Sequence, residues 1–225
     1  ADYFDAGTKH KWPLRYGENP HQQAYFEGNL DECFEILSGK ELSYNNILDL
    51  DAACNLMADF YEGPACFAVI KHTNVCGIAQ RETISQAWLD ALAGDPVSAF
   101  GGILICNKTL DIDTAQKINN LFYELLIAPA FEPGVVEMLS AKKNRILVLL
   151  KKLPHQAWSS RTAINGFLNQ EMDLHVQKPE ALQNVTKRQA TELEIKDLLF
   201  ATTCAKHLKS NAITLVSKQQ LIGMG

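Results

Sequence analysis

The sequence predicts an α/β fold, and two observations carry that expectation. Apolar runs of strand length occur at 65–70, 103–106, 123–129 and 146–150. A run that is apolar throughout, rather than alternating, marks a strand covered on both faces, as in a parallel sheet. Before and between these runs, apolar residues recur at helical spacing over 47–57 and 83–93. Helix and strand thus alternate along the chain, the order from which sheets with helix-covered faces are built.

The 225 residues suffice for one large domain or for one and a half smaller ones. A hydrophobic content of 47% and a charged content of 21% are those of a globular protein. The net charge of −5 argues against a broad nucleic-acid surface, though it leaves room for a local basic pocket holding one phosphate. No apolar run reaches the roughly 20 residues that span a bilayer, and residues 1–12 lack the basic-then-apolar order of a signal peptide. The six cysteines, Cys33, Cys54, Cys66, Cys76, Cys106 and Cys204, form no C-x-x-C pair. They read as small buried hydrophobes of a reduced, cytoplasmic protein without a structural zinc site.

Residues 1–12 have no period and read as a connector. The stretch 13–22 is rich in turn formers and predicts an irregular loop. Within it Arg15 can pair with a phosphate and Tyr16 can stack or donate, so the loop is a candidate site for an anionic, planar ligand, with a solvated turn as the alternative. A short strand is expected at 34–37, then a helix over 47–57 capped by an asparagine. Gly63-Pro64 ends that region before the strand at 65. Val75-Cys76-Gly77 reads as a turn, 83–93 as a helix stopped by Gly94-Asp95-Pro96, and Gly101-Gly102 as a close-approach entry to the strand at 103–106. Helices are expected at 113–122 and 131–140. The basic cluster Lys142-Lys143-Asn144-Arg145 reads as a solvated helix end rather than a binding patch. Residues 151–161 look irregular, 166–170 a short strand, and 171–190 loop. Thr191 with Glu194 forms a capping box for a helix to 205, with Leu198, Leu199, Ala201 and Thr202 facing inward. A last strand spans 212–216, and the glycine-rich turn after it gives the end at Gly225 the look of a cut.

The run at 65–70 ends abruptly in Lys71-His72-Thr73-Asn74. In open α/β sheets ligands bind beyond the carboxyl ends of strands, which places a Lys-His pair where chemistry is done. A surface lysine beside a satisfied histidine is the alternative reading of these residues alone.

Five stretches together resemble one family: 14–22 (Leu14-Arg15-Tyr16-Gly17-Glu18-Asn19-Pro20-His21-Gln22), 39–46 (Gly39-Lys40-Glu41-Leu42-Ser43-Tyr44-Asn45-Asn46), 70–74 (Ile70-Lys71-His72-Thr73-Asn74), 95–102 (Asp95-Pro96-Val97-Ser98-Ala99-Phe100-Gly101-Gly102) and 209–213 (Lys209-Ser210-Asn211-Ala212-Ile213). They are similar, in order and over essentially the whole chain, to the formyltransferase part of the bifunctional purine-biosynthesis enzyme, AICAR transformylase joined to IMP cyclohydrolase. The resemblance implies transfer of a formyl group from the cosubstrate 10-formyltetrahydrofolate to the amine of aminoimidazole carboxamide ribonucleotide. It also implies a homodimer with shared active sites, and no nucleic-acid or membrane partner. The fold it implies is a tandem of cytidine-deaminase-like three-layer units without zinc. The first unit is complete at 13–150, and the second is begun and truncated at 151–225. No H-x-E…P-C-x-x-C signature occurs in the sequence.

By the same resemblance His72 is the general base and Lys71 the oxyanion stabiliser. Arg15 and Tyr16 hold the nucleotide's phosphate and ring, and Gly101 allows close backbone approach. Glu124 binds polar groups of the substrate, and Asn211 orients the amide or amine. Val75 departs from the proline usual in the bacterial pattern, and Asn165-Gly166 from a more typical Gly-Gly. Ala1 to Phe4 is similar to the junction after the cyclohydrolase domain. That domain and the folate-contacting half are expected to lie outside this chain, so the fragment alone is expected to be inactive. Two other readings are a nucleotide-binding or dimerisation fragment without activity of its own, and a cysteine hydrolase using Cys76 near His72.

Overall fold

The computed structural model describes residues 10–225, so most of the connector expected at 1–12, and the junction read at 1–4, lie outside the described residues. In chain order the elements are β1 (Lys11–Pro13), β2 (Tyr25–Glu27), β3 (Phe34–Ser38), α1 (Tyr44–Ala58), β4 (Ala65–Lys71), β5 (Asn74–Arg81), α2 (Ile84–Gly94), β6 (Ile103–Cys106), α3 (Ile112–Ile118), β7 (Leu125–Ala128), α4 (Val135–Ser140), β8 (Ile146–Leu150), β9 (Trp158–Ala163), β10 (Gly166–Glu171), α5 (Glu192–Lys206), β11 (Thr214–Ser217) and β12 (Gln220–Met224). Eight strands form one mixed sheet in the order β11-β12-β5-β4-β6-β7-β8-β3.

Side-chain alternation along β4 divides the core in two. Cys66, Ala68 and Ile70 join a cluster with Leu50, Met57, Phe200 and Cys204, so α1 and α5 cover one face. Phe67 and Val69 join Trp88, Ala91, Ile118 and Leu139, so α2, α3 and α4 cover the other. Cover on both faces keeps six of the seven β4 residues buried, which is why the segment reads as apolar throughout. The expected parallel pairing is corrected, however. β4 runs antiparallel to both β5 and β6, and only the β6–β7 and β7–β8 pairs are parallel. Burial on two faces dictates composition; it is silent about strand direction.

The turn expected at Val75-Cys76-Gly77 is also corrected. These residues lie inside β5, and the reversal falls two residues earlier, at His72 and Thr73. Gly77 marks close packing instead of a turn: a Cβ there would stand 1.9 Å from the Ala91 carbonyl of α2. The cap of α1 is Ser43, whose hydroxyl accepts from the Asn46 amide while the Asn46 side chain accepts from the Ser43 amide. The helices α3 and α4 are shorter than expected, and Tyr123 and Glu124 precede β7. Arg145 is not solvated. Its guanidinium donates to Asn119 and to the Leu121 carbonyl and lies 4.4 Å from the centre of the Tyr123 ring.

Residues 158–161, within the stretch read as irregular, belong to β9, which pairs antiparallel with β10. In α5 the Thr191–Glu194 capping box is present, but Phe200, Thr203 and Cys204 are the inward residues, while Leu198 and Thr202 are exposed. The glycine-rich end is strand β12 rather than a turn, paired with β11 and β5. All six cysteines are unpaired, and four are buried. No helix among the described residues is long and apolar enough to cross a membrane.

Candidate functional site

The antiparallel pairing of β4 and β6 decides where the candidate residues meet. The carboxyl end of β4 lies beside the amino ends of β6 and β7, since Ile70 pairs with Ile103 and Ile103 with Leu125. The site edge therefore differs from the expected crevice beyond parallel carboxyl ends. It combines the β4–β5 turn, the segment entering β6 and the segment entering β7.

Lys71 is the last residue of β4, half-buried, and its ammonium donates to the Phe100 carbonyl at 2.7 Å. His72 is exposed at the turn. His72 and Thr73 have φ of 52° and 62° between the paired residues Lys71 and Asn74, which is the geometry of a two-residue hairpin turn. Such turns favour Asn-Gly, because L side chains pay about 1–2 kcal/mol per residue in the left-handed region. Local bonds hold the turn. The Thr73 hydroxyl and the Asn74 amide donate to the His72 carbonyl at 2.6 and 2.9 Å. The Thr73 backbone N–H donates to Asp49 Oδ1 on α1 at 2.7 Å. A hydrogen bond to an ionised acceptor contributes about 1.5–3 kcal/mol, enough to offset the strain of one such residue.

A second set of bonds extends the edge. Gly101, with φ of 76°, donates its N–H to the Phe122 carbonyl, and the Glu124 N–H donates to the Gly102 carbonyl. A Cβ on Gly101 would meet only the Phe122 ring, at 3.6 Å, so the backbone there is open to close approach. The Glu124 carboxylate accepts from Asn46 Nδ2 at 3.0 Å, which ties β7 to the first turn of α1. The 13–22 loop docks on the same helix start, with Arg15 N–H donating to the Leu42 carbonyl and Tyr44 N–H to the Tyr16 carbonyl. Arg15 Nη2 donates to the Tyr16 hydroxyl at 3.0 Å, and its buried Nε has no partner among the described residues.

Lys71, His72, Arg15, Tyr16, Gly101 and Glu124 are thus linked through α1 and the β6 and β7 entries. Asn211 is placed differently. It lies just before β11, exposed, and accepts from the Ser210 hydroxyl. Strand register puts it at the same end of the sheet as His72 but separated from β4 by β5 and β12.

Asn46 and Asp49 were missed as site residues. Ser43, Asn46 and Asp49 recur every third residue, a spacing that puts them along one side of the helix start. That polar series was the available signal, hidden by reading the segment for its apolar stripe. Burial pushes the Asp49 carboxyl above its ordinary pKa; the Thr73 N–H and the charge of His72 oppose this, and the charge of Glu124 reinforces it. Burial likewise raises Cys76, with the Asp95 charge adding, to about 11, and Cys76 sits within β5. A thiol so placed is a poor source of thiolate, which removes support from the hydrolase reading.

Among the described residues no group of three or more His, Cys, Asp or Glu is arranged to hold a metal ion. Hollows of about 850 and 710 Å3 lie beside Arg81 and beside α5, away from Lys71 and His72.

Over residues 2–225 the chain matches the family model described as AICARFT/IMPCHase bienzyme. It is similar to the bifunctional purine biosynthesis protein PurH of Bacteroides thetaiotaomicron, 47% identical over 234 residues covering 100% of this chain and 45% of the relative. The corresponding proteins of Chlorobium chlorochromatii and Chlorobaculum parvum are 47% and 46% identical, each over 221 residues covering 94% of this chain and 42% of the relative. The chain therefore spans less than half the length of these relatives.

Proposed function

The chain belongs to the AICARFT/IMPCHase bienzyme family, and from that premise we propose that it carries the nucleotide side of a formyl-transfer site in purine biosynthesis. The donor is 10-formyltetrahydrofolate and the acceptor is the amine of aminoimidazole carboxamide ribonucleotide. The observation that supports this best is the pairing of an exposed imidazole with a lysine ammonium hydrogen-bonded to a neutral carbonyl, on one constrained turn. The acceptor amine is conjugated into its ring and is a weak nucleophile. His72, in its neutral form, takes the amine proton as the amine attacks the formyl carbon, a contribution of typically 10²–10⁴-fold. Attack produces a tetrahedral oxyanion, and Lys71 supplies the positive charge beside it. As the tetrahedral intermediate collapses, the tetrahydrofolate amine leaves with a proton and the formyl group remains on the substrate amine.

Arg15, whose Nε has no partner among the described residues, and Tyr16 take the phosphate and ring. Gly101 admits the ligand against the backbone, and the Glu124–Asn46 pair holds the substrate's polar groups. Asn211 orients the amide from across the sheet end. In this reading the units are cytidine-deaminase-like, 13–150 forming one and 151–225 beginning a second. Parts outside this chain bring the folate, no metal takes part in the chemistry, and the whole protein is a cytoplasmic homodimer with cyclohydrolase activity in its other portion. Because the chain spans less than half the length of its relatives, the second reading for this span taken alone is a nucleotide-binding or dimerisation piece without turnover.

The test uses the full-length protein, assayed for formyl transfer with both substrates. His72→Ala is expected to lower kcat at least about 10²-fold while calorimetric binding of the ribonucleotide persists. A variant that turns over like the wild type overturns the assignment of the base. A full-length wild type that transfers no formyl group overturns the function.

A further inference from the structure

The turn that carries His72 is held from outside the turn as well as from within it. His72 and Thr73 both occupy the left-handed region, and Thr73 is β-branched, a side chain for which that conformation is a marked exception. Neither residue supplies the freedom a glycine would. The Thr73 hydroxyl and the Asn74 side chain brace the His72 carbonyl, but those contacts travel with the turn and do not fix it relative to the rest of the molecule. The tie to a different element is Asp49 Oδ1, which accepts the Thr73 backbone N–H at 2.7 Å. Asp49 stands on α1, the helix whose start also carries the Glu124 contact and the docking of the Arg15 loop.

We propose that Asp49 is a positioning residue: its carboxylate anchors the His72–Thr73 turn to α1 and thereby sets where the imidazole stands over the substrate subsites. The proposal rests on the formyl-transfer reading for its catalytic consequence, and on the backbone geometry for the anchor. The carboxylate is half-buried, with the charges of His72 and Glu124 facing it, and burial holds its pKa above the ordinary range. A protein that keeps an acid in such a place obtains a strong acceptor for the backbone N–H groups of the turn, that of Thr73 foremost and that of His72 beside it.

Two substitutions in the full-length protein separate the anchor from charge alone. Asp49→Ala removes the acceptor, and kcat for formyl transfer is expected to fall roughly 10²-fold, the scale of a displaced catalytic group. KM for the ribonucleotide should stay near its wild-type value. Asp49→Asn keeps an oxygen at the same position and is expected to retain most of kcat. An Ala variant with wild-type kcat, or an Asn variant as impaired as Ala, overturns the proposal. Wild-type protein labelled with 15N at threonine gives a readout that depends on neither the folding of a variant nor turnover. The Thr73 amide proton should shift as the Asp49 carboxyl titrates above the ordinary carboxylate range, and an amide that stays flat through that titration overturns the anchor. Loss of the formyl-transfer reading and loss of the anchor thus register in different measurements.

Discussion

Lys71–His72 ends β4 in a left-handed turn with the imidazole exposed, whereas Lys206–His207 ends α5 with both side chains closed on Asp59. The same dipeptide is open in one place and consumed in the other. Lys206 lies 3.0 Å and His207 2.6 Å from Asp59 Oδ2, and the side chains are only 13%, 15% and 11% exposed. Asp59 follows α1 directly and His207 follows α5, so this junction locks two helix ends on one face of the sheet. The Lys206 ammonium in the last turn of α5 also complements the helix dipole. Lys71 donates instead to a backbone carbonyl, which orients the ammonium without neutralising it. The two pairs differ in what their side chains bond: Lys206 and His207 both close on the Asp59 carboxylate, whereas the Lys71 ammonium bonds a backbone carbonyl and the Asp49 carboxylate takes backbone N–H of the turn, leaving the imidazole exposed.

The strongest way to break this contrast is Lys71→Ala in the full-length protein. On the proposed function, in which Lys71 is one oxyanion donor, this change should lower kcat for formyl transfer by about 10²–10³-fold, or about 3–4 kcal/mol, with little change in melting temperature. Equal loss of stability would put Lys71 in the same class as Lys206. Asp59→Ala is expected to do the reverse, destabilising the fold by about 3–5 kcal/mol in denaturant titrations, because a nearly buried ammonium and a nearly buried imidazole lose their partner. Its effect should depend on pH. Burial raises the Asp59 carboxyl, but the hydrogen bonds from His207 and Lys206 outweigh it and hold the pKa below the ordinary value. A carboxylate with a depressed folded pKa stabilises above its unfolded value of about 3.9 and loses that contribution as pH falls through the folded one.

The smallest expected effect sharpens the comparison between the two helix-borne acids. Asp49 has its folded pKa raised by burial, so the stability linked to it is greatest below the unfolded value and is lost as pH rises through the folded one. At neutral pH Asp49→Asn should therefore raise the denaturation midpoint slightly and Asp59→Asn lower it. Shifts of the same sign in both variants would show that the two carboxylates have the same role in the fold.

Much of the fold was readable because burial writes itself into composition. The runs that became β4, β6 and β8 could be found from apolar content alone, and α2 and α5 from helical spacing and caps. The β4–β5 reversal was not readable, since His72-Thr73 carries none of the glycine or asparagine that such turns usually show. Glycine misled in the same region: Gly77 is there for the carbonyl of Ala91, not for a turn. β9 was missed because it pairs only with β10, and its inward-facing positions are few. Of the candidate site, Lys71 and His72 stood out as polar residues ending an apolar run. Asp49 and Asn46 did not, because their partners Thr73 and Glu124 lie 24 and 78 residues away in sequence.

The sequence by itself determined the α/β layering, the buried strands, the principal helices and the family, all consequences of local spacing and residue type. Only the tertiary structure decided strand direction, the left-handed turn beneath His72 and the opposite fates of the two Lys-His pairs. Each of those depends on which distant group stands opposite a given side chain or N–H. Periodicity reports how much of a residue is buried; the identity of the group that meets it is set by packing alone.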